Sequence, residues 1–311
     1  MCYDIDTDNG ELQGLDLFNR YKENTIFVIG NFIKTNYMSY TKNRKLYRRV
    51  YMDNTALAKF IQSLGSLNNY GSSVYQTKKA LDLKSTKPLR QNVDDIAIFV
   101  DSLKGIEAIK EKGFSVDGII EVNKQFDSPS DEQPNLPGHL RNSYYNEDDR
   151  IAIVIDQASQ EYYIPKDVIT REDLQEIVDQ FNESERIEKD AWLVFARLAK
   201  LQAFQDGNKR TALISANAAY GTLETEDYLL IPFHDIKRLE FTVSLMAFYR
   251  AKDPLEEQEA FERLYQTLPS KNEREIYLHK PIEDLNQSKD ISTYRVKSEL
   301  RSKEYDQEPD L

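Results

Sequence analysis

Apolar positions recur at helical spacing over much of the chain. Ile187, Ala191, Val194, Leu198 and Leu201 follow at intervals of 4, 3, 4 and 3 residues, which puts them on one helical face. Ile98, Leu103, Ile106 and Ile109 mark an earlier helix over 94–112, closed by Gly113. Ser115 is placed to cap the next helix, which carries Ile119, Ile120 and Val122. Asn54 is suited to cap a helix ending near Leu67, before the Gly, Ser and Asn of 66–73. Another helix is expected to start after Gly207 and run to Tyr220, with Gly221 as its stop; two more fit 235–249 and 254–268. One stretch has a different period. Ile151, Ile153 and Ile155 alternate with Ala152 and Val154, and polar residues 156–160 separate them from Tyr162-Tyr163-Ile164, the pattern of a β-hairpin. Pro129, Pro134, Pro137 and Gly138 make 127–138 a loop. Residues 19–50 suit one or two helices, and the β-branched run Thr25 to Ile29 suits a buried strand equally well. The expected fold is mainly α with a short β-hairpin. Its parts are an N-terminal helical region over 1–90, a core domain over 91–268, and a charged, mobile tail over 269–311 with at most one short helix.

Composition narrows the function classes. With 311 residues, 40% of them hydrophobic, the chain can bury a substantial core. A net charge of -12 repels nucleic acid phosphates and anionic lipid, so neither is an expected partner. No run of about 18 apolar residues is present to span a membrane. The single cysteine, Cys2, forms no intrachain disulfide, and no signal peptide pattern is seen; the expected location is the cytoplasm. Oligomerisation is left open.

The chemistry concentrates between two expected helices, in Gln202-Ala203-Phe204-Gln205-Asp206-Gly207-Asn208-Lys209-Arg210-Thr211. A tight turn at Gly207 would aim the N-terminus of the following helix outward. Such an end holds unpaired N–H groups and the positive pole of the macrodipole, and it binds anions. Asn208, Lys209 and Arg210 add side-chain donors, and Asp206 offers a hard oxygen to a Mg²⁺ ion bridging to phosphate. On residues alone, a polar turn in an ordinary helix–loop–helix fits as well as an anion cradle.

This segment resembles the motif of the Fic/Doc family (Fido proteins), whose Doc-like form reads His-x-Phe-x-Asp-Gly-Asn-Lys-Arg-Thr; every specified position but the first is matched. Pro137-Gly138-His139-Leu140-Arg141 resembles the family's Pro-Gly-x-x-Arg element, and the 150–165 hairpin stands where the family has its target-docking flap, with Ile151, Ile153 and Tyr163 as flap residues. The resemblance covers residues 90–250 well and 20–50 weakly. It implies a Fic fold, a helical bundle around an anion-binding loop, and the transfer of AMP or, in the Doc-like form, a phosphoryl group from ATP or another nucleoside triphosphate with Mg²⁺ to a protein hydroxyl. Phe204 would anchor the loop, Asp206 would hold Mg²⁺, and Gly207, Asn208, Lys209, Arg210 and Thr211 would bind phosphates. Lys209 replaces the glycine usual in AMP-transferring members, and Leu213 stands where their motif has a second arginine; both departures favour Doc-like phosphate handling.

The family's catalytic histidine position holds Gln202. An amide lacks a lone pair of useful basicity, and loss of general-base help typically costs about 10²–10⁴-fold in rate. A pseudoenzyme or a weak enzyme is therefore expected; the alternatives are an active transferase using another base, with Lys209 in the catalytic set, and a nucleotide-independent interaction module that adds a partner's strand to the flap. Of the three histidines, His139 is nearest the expected site and is read as a loop residue packing beside Arg141; His234 caps or packs at a helix start, and His279 lies in the tail. Glu147, Asp148 and Asp149 are read as a solvated turn, and the Lys42 to Arg49 cluster as a solvated helix face. Thr25, Ile29, Gly30 and Asn31 resemble the family's inhibitory element Ser/Thr-x-x-x-Glu-Gly-Asn with Ile29 in the glutamate position, a degenerate form that accords with the missing arginine at Leu213.

Overall fold

The computed structural model describes residues 53–68, 70–131 and 133–282. The degenerate inhibitory element (Thr25, Ile29, Gly30, Asn31), Cys2 and the Lys42 to Arg49 cluster lie outside the described residues. Among the described residues there are eleven α-helices and one two-stranded antiparallel sheet. In chain order these are α1 (Thr55–Gly65), α2 (Val74–Leu83), α3 (Val93–Lys112), α4 (Val116–Lys124), β1 (Ile153–Asp156), β2 (Glu161–Tyr163), α5 (Arg171–Glu183), α6 (Glu188–Leu201), α7 (Asn208–Tyr220), α8 (Thr222–Thr225), α9 (Asp235–Arg250), α10 (Pro254–Thr267) and α11 (Lys271–His279). No described helix is long and apolar enough to cross a membrane.

The helix ends carry the expected local chemistry. Asn92 and Ser115 accept side-chain cap bonds at the starts of α3 and α4, and Gly113 ends α3 with a φ of 71°. Asp94 and Asp95 sit in the first turn of α3 and Lys110 and Lys112 in its last, the arrangement the macrodipole favours. At α1, Asn54 occupies the N-cap position but its side chain bonds Asp82 instead; the Asp53 carboxylate takes the Thr55 N–H. Three helices, α2, α5 and the short α8, have no counterpart among the sequence expectations.

The bundle is organised around α7, which is buried along nearly its whole length, from Asn208 to Asn217. It packs against α6, α4, α3 and α1. Ile214 approaches Gly105 of α3, whose lack of a side chain permits the close crossing. α6 runs back along α7 and buries Ala191, Trp192, Val194, Phe195, Ala196, Leu198 and Ala199. The loop joining these two central helices is the motif segment, so the most extensive helix–helix contact among the described residues holds both of its ends.

The expected mobile tail begins with an ordered helix. α11 is capped by a Ser270–Glu273 box, buries Leu278, and places Arg274 in a two-pronged ion pair with Glu188 at 2.5 and 2.9 Å. Lys59 donates to the Tyr277 and Lys280 carbonyls at its C-terminal end. Charged composition hid this docking because the anchoring charge is paired inside the fold. The rest of that segment, 283–311, lies outside the described residues.

Candidate nucleotide-phosphate site

The motif loop turns twice through left-handed backbone. Gln202 closes α6 with φ 49° and ψ 56°, and Gly207 opens α7 with φ 75°. A β-carbon on Gly207 would lie 2.5 Å from Phe126 Cδ2, so this turn requires glycine both by conformation and by space. Gly207, the N-cap residue, brings no side chain to cap α7, and the positive end of the helix dipole is directed at the loop.

Asn208 braces the loop from inside. Its Oδ1 accepts from Phe204 N at 2.9 Å, and its Nδ2 donates to Phe204 O at 2.7 Å and Gln202 Oε1 at 3.1 Å. Phe204 is buried in the core, as expected for its anchoring role. Asn123 of α4 holds the turn from outside: its Nδ2 donates to Asp206 O at 2.9 Å, and its Oδ1 accepts from Gly138 N at 2.9 Å. The Asp206 side chain accepts from the Gly207 N–H.

A cleft of about 300 Å³ opens above this loop, bounded by the flap residues Ile151, Ala152 and Ile153 and by Met246 and Tyr249 of α9. Gln202 and the run from Gln205 to Lys209 form its other wall. The structure therefore brings together Gln202, Asp206, Gly207, Asn208, Lys209, Ile151 and Ile153. It turns Arg210 and Thr211 away: both side chains are buried beneath the turn, Arg210 over the Phe126 ring at 4.6 Å and Thr211 within 3.4 Å of Asn123 Nδ2. Tyr163 also faces elsewhere. Its hydroxyl donates to Lys200 O at 3.0 Å, its ring lies 5.4 Å from that of Tyr249, and burial pushes its phenol up to about 12.

Gln202 is only 5% exposed. Its Nε2 donates to Ala199 O at 2.6 Å and its Oε1 accepts from Asn208. Both ends of the amide are thus engaged within the protein, one with the last turn of α6 and one with Asn208. The Tyr249 hydroxyl lies beside it, buried and without a well-formed hydrogen bond, and burial pushes this phenol up.

Behind the cleft lies a hub that the sequence reading missed. Glu147 and Asp148 are exposed, but Asp149, expected in a solvated turn, is fully buried. Its Oδ2 accepts from Asn142 N at 2.6 Å and faces His139 Nε2 at 2.9 Å, while its Oδ1 accepts from Gln205 Nε2 at 2.7 Å. Burial alone would raise this carboxyl; the converging donors outweigh it and hold Asp149 below the usual carboxylate range. Arg141, also buried, donates to Gln202 O at 2.5 Å, Asp149 O at 2.7 Å and Lys166 O at 3.0 Å. Together these residues fasten the flap base to the motif loop. His139 pairs with Asp149 and does not line the cleft. His234 packs on Phe233 at the start of α9, with ring centroids 4.8 Å apart, and its side chain makes no cap bond.

Asp206 would be the protein's ligand to Mg²⁺. No cluster of three or more His, Cys, Asp or Glu occurs among the described residues. A single carboxylate in an open cleft suits Mg²⁺, which keeps several waters and takes its remaining ligands from phosphate. The uncapped helix start fits the anionic part of the same ligand.

Residues 114–220 match the model of the Fic/DOC family. Among solved structures, a Fic domain containing signaling protein from Bacteroides thetaiotaomicron VPI-5482 superposes with a TM-score of 0.54 at 16% identity, covering 81% of this chain and 95% of that one. Fic-1 (residues 134–508) from C. elegans superposes with a TM-score of 0.51 at 16% identity, covering 88% of this chain and 78% of that one. At such identities the likeness speaks for the fold. No curated protein matches the chain. By its motif loop, its helical fold and the family match over 114–220, this chain carries a Fic/DOC family domain.

Proposed function

We propose that the cleft binds the phosphates of an ATP-like nucleotide with Mg²⁺, and that transfer of AMP or a phosphoryl group to a protein hydroxyl is lost or sharply reduced. The observation that carries the reading is the uncapped α7 start at Gly207, set in a cleft with Asp206 and Lys209 beside Gln202. The helix end supplies oriented N–H dipoles, Lys209 a cation at the cleft wall, and Asp206 a metal ligand. Gln202 cannot deprotonate a hydroxyl, because an amide has no usefully basic lone pair, and its two ends brace the loop instead. Mg²⁺, when bound, would neutralise charge on the phosphates. Positioning and electrostatics can persist without a base.

A protein target would dock along the flap. Its outer face exposes Val154, Tyr162 and Ile164, with Val154 paired across the hairpin to Tyr162; exposed apolar surface of this kind suits a protein partner. The same face would serve a pure interaction module.

The test is restoration. Gln202→His should recover labelling of a protein target, or of the chain itself, from ATP labelled at the α or γ position. Gln202 already has φ 49°, and histidine is among the residues that tolerate this region. Recovery should fall in the general-base range of about 10²–10⁴-fold, and should vanish in Gln202→His/Asp206→Ala. A folded, nucleotide-binding Gln202→His variant that labels nothing would leave the flap as a protein-interaction surface only.

A further inference from the structure

Arg210 is wholly buried, and a buried guanidinium is costly unless its surroundings hold it. Its Nη2 donates to Gln133 Oε1 at 3.0 Å, and its guanidinium lies over the Phe126 ring. Gln133, itself buried, donates through Nε2 to Asp101 Oδ2 at 2.8 Å. Asp101, on α3, also accepts from Ser128 N at 3.2 Å and Ser128 Oγ at 2.6 Å, with Lys104 Nζ at 3.3 Å. The amide of Gln133 therefore turns its acceptor to a cation and its donor to an anion. The flipped amide would oppose like partners on both sides, so the chemistry fixes its orientation. Phe126, under the guanidinium, is the ring that leaves no room for a β-carbon at Gly207.

We propose that Asp101 and Gln133, both outside the motif, are positioning residues for the Gly207 turn. The relay Asp101–Gln133–Arg210 clamps the guanidinium onto Phe126, and Phe126 seats the turn from which α7 starts. The anion site is thereby tied to α3, a helix far from the motif in sequence. Only the effect on nucleotide affinity rests on the function proposed above; the effect on the turn does not.

The relay predicts a charge swap. Gln133→Glu sets two carboxylates against each other. Adding Asp101→Asn restores complementarity: the carboxylate introduced at position 133 then accepts from Arg210 and from the amide introduced at position 101. In the full chain, amide exchange over 203–211 should quicken about 10- to 100-fold in Gln133→Glu, the range for losing hydrogen bonds to a charged group. It should return toward the wild-type rate in Asp101→Asn/Gln133→Glu, while a segment of α10 changes little throughout. Affinity for ATP with Mg²⁺ should fall and recover in parallel. A role confined to filling space would make the double variant no better than the single one. Wild-type exchange over 203–211 in Gln133→Glu, or exchange in the double variant as fast as in the single, overturns the relay. If Gln133→Glu does not fold, thermal melts read the same coupling: a folded double variant supports the relay and an unfolded one overturns it. Absence of ATP binding to the wild type would count against the proposed function, and the exchange data would still decide the relay.

Discussion

Replacing Gly207 with alanine separates two physical costs. The first is conformational: a side chain at φ 75° meets the left-handed penalty of roughly 1–2 kcal/mol. The second is steric: the new β-carbon would stand 2.5 and 2.9 Å from the Phe126 ring and 3.1 Å from Asn123 Nδ2. Both neighbours are pinned, Phe126 under Arg210 and Asn123 by bonds to Asp206 and Gly138, so neither can retreat freely. Overpacking of this kind costs about 1–3 kcal/mol. The sum of about 2–5 kcal/mol corresponds to a fall in Tm of roughly 5–15 °C for a domain of this size. Gly221 provides the control. Its φ is 74°, but nothing lies within 4 Å of the point a β-carbon would occupy, so Gly221→Ala should show only the conformational part, about 1–2 kcal/mol. Thermal melts of the two variants followed by circular dichroism give the comparison. Equal losses would refute the claim that Phe126 and Asn123 wall in the turn.

Three further outcomes follow from the geometry. Arg274→Ala strands Glu188 and removes the anchor of α11, so it should cost about 3–5 kcal/mol in denaturant unfolding; a loss under about 1 kcal/mol, the scale of an exposed pair, would mean that α11 is held by other contacts. Burial raises Asp101 from 3.8 to about 6. A raised folded-state value stabilises the fold fully below the unfolded value and loses that contribution as pH rises through about 6. Relative to Asp101→Asn, the wild type should therefore lose up to about 3 kcal/mol between about pH 4 and 7, at about 1.4 kcal/mol per unit; parallel stability profiles would contradict this. Asp149 has the opposite sign, since its folded value is depressed. Its contribution is present above the unfolded value and lost on acidification, so Asp149→Asn should flatten the acid limb of wild-type unfolding, and an unchanged acid limb would count against the hub.

Much of this architecture was legible from local pattern. The α6 stripe, the Gly207 turn and Gly221 stop that bound α7, and the alternating 151–155 run each encode one element through spacing or a single turn residue. Burial decided by distant partners was not legible. Asp149 looks like its exposed neighbours Glu147 and Asp148 until loop 136–142 and Gln205 close over it. Arg210 reads as a phosphate ligand because it follows Asn208 and Lys209, yet helical rotation carries its side chain beneath the turn. Asn123 did leave a signal. It shares the apolar face of Ile119, Val122 and Phe126, and an amide on a buried stripe announces a polar partner. α2 and α5 escaped because charged and polar residues outnumber their few buried positions.

The central claim is that the α7 start at Gly207 receives nucleotide phosphates while Gln202 fails as a base. Calorimetric titration of the wild-type chain with ATP in Mg²⁺ tests it most directly, with Asp206→Ala titrated in parallel. The account predicts saturable binding of one nucleotide per chain, weakened when Asp206 is removed. No heat of binding at millimolar ATP, from a chain shown to be folded, would contradict it.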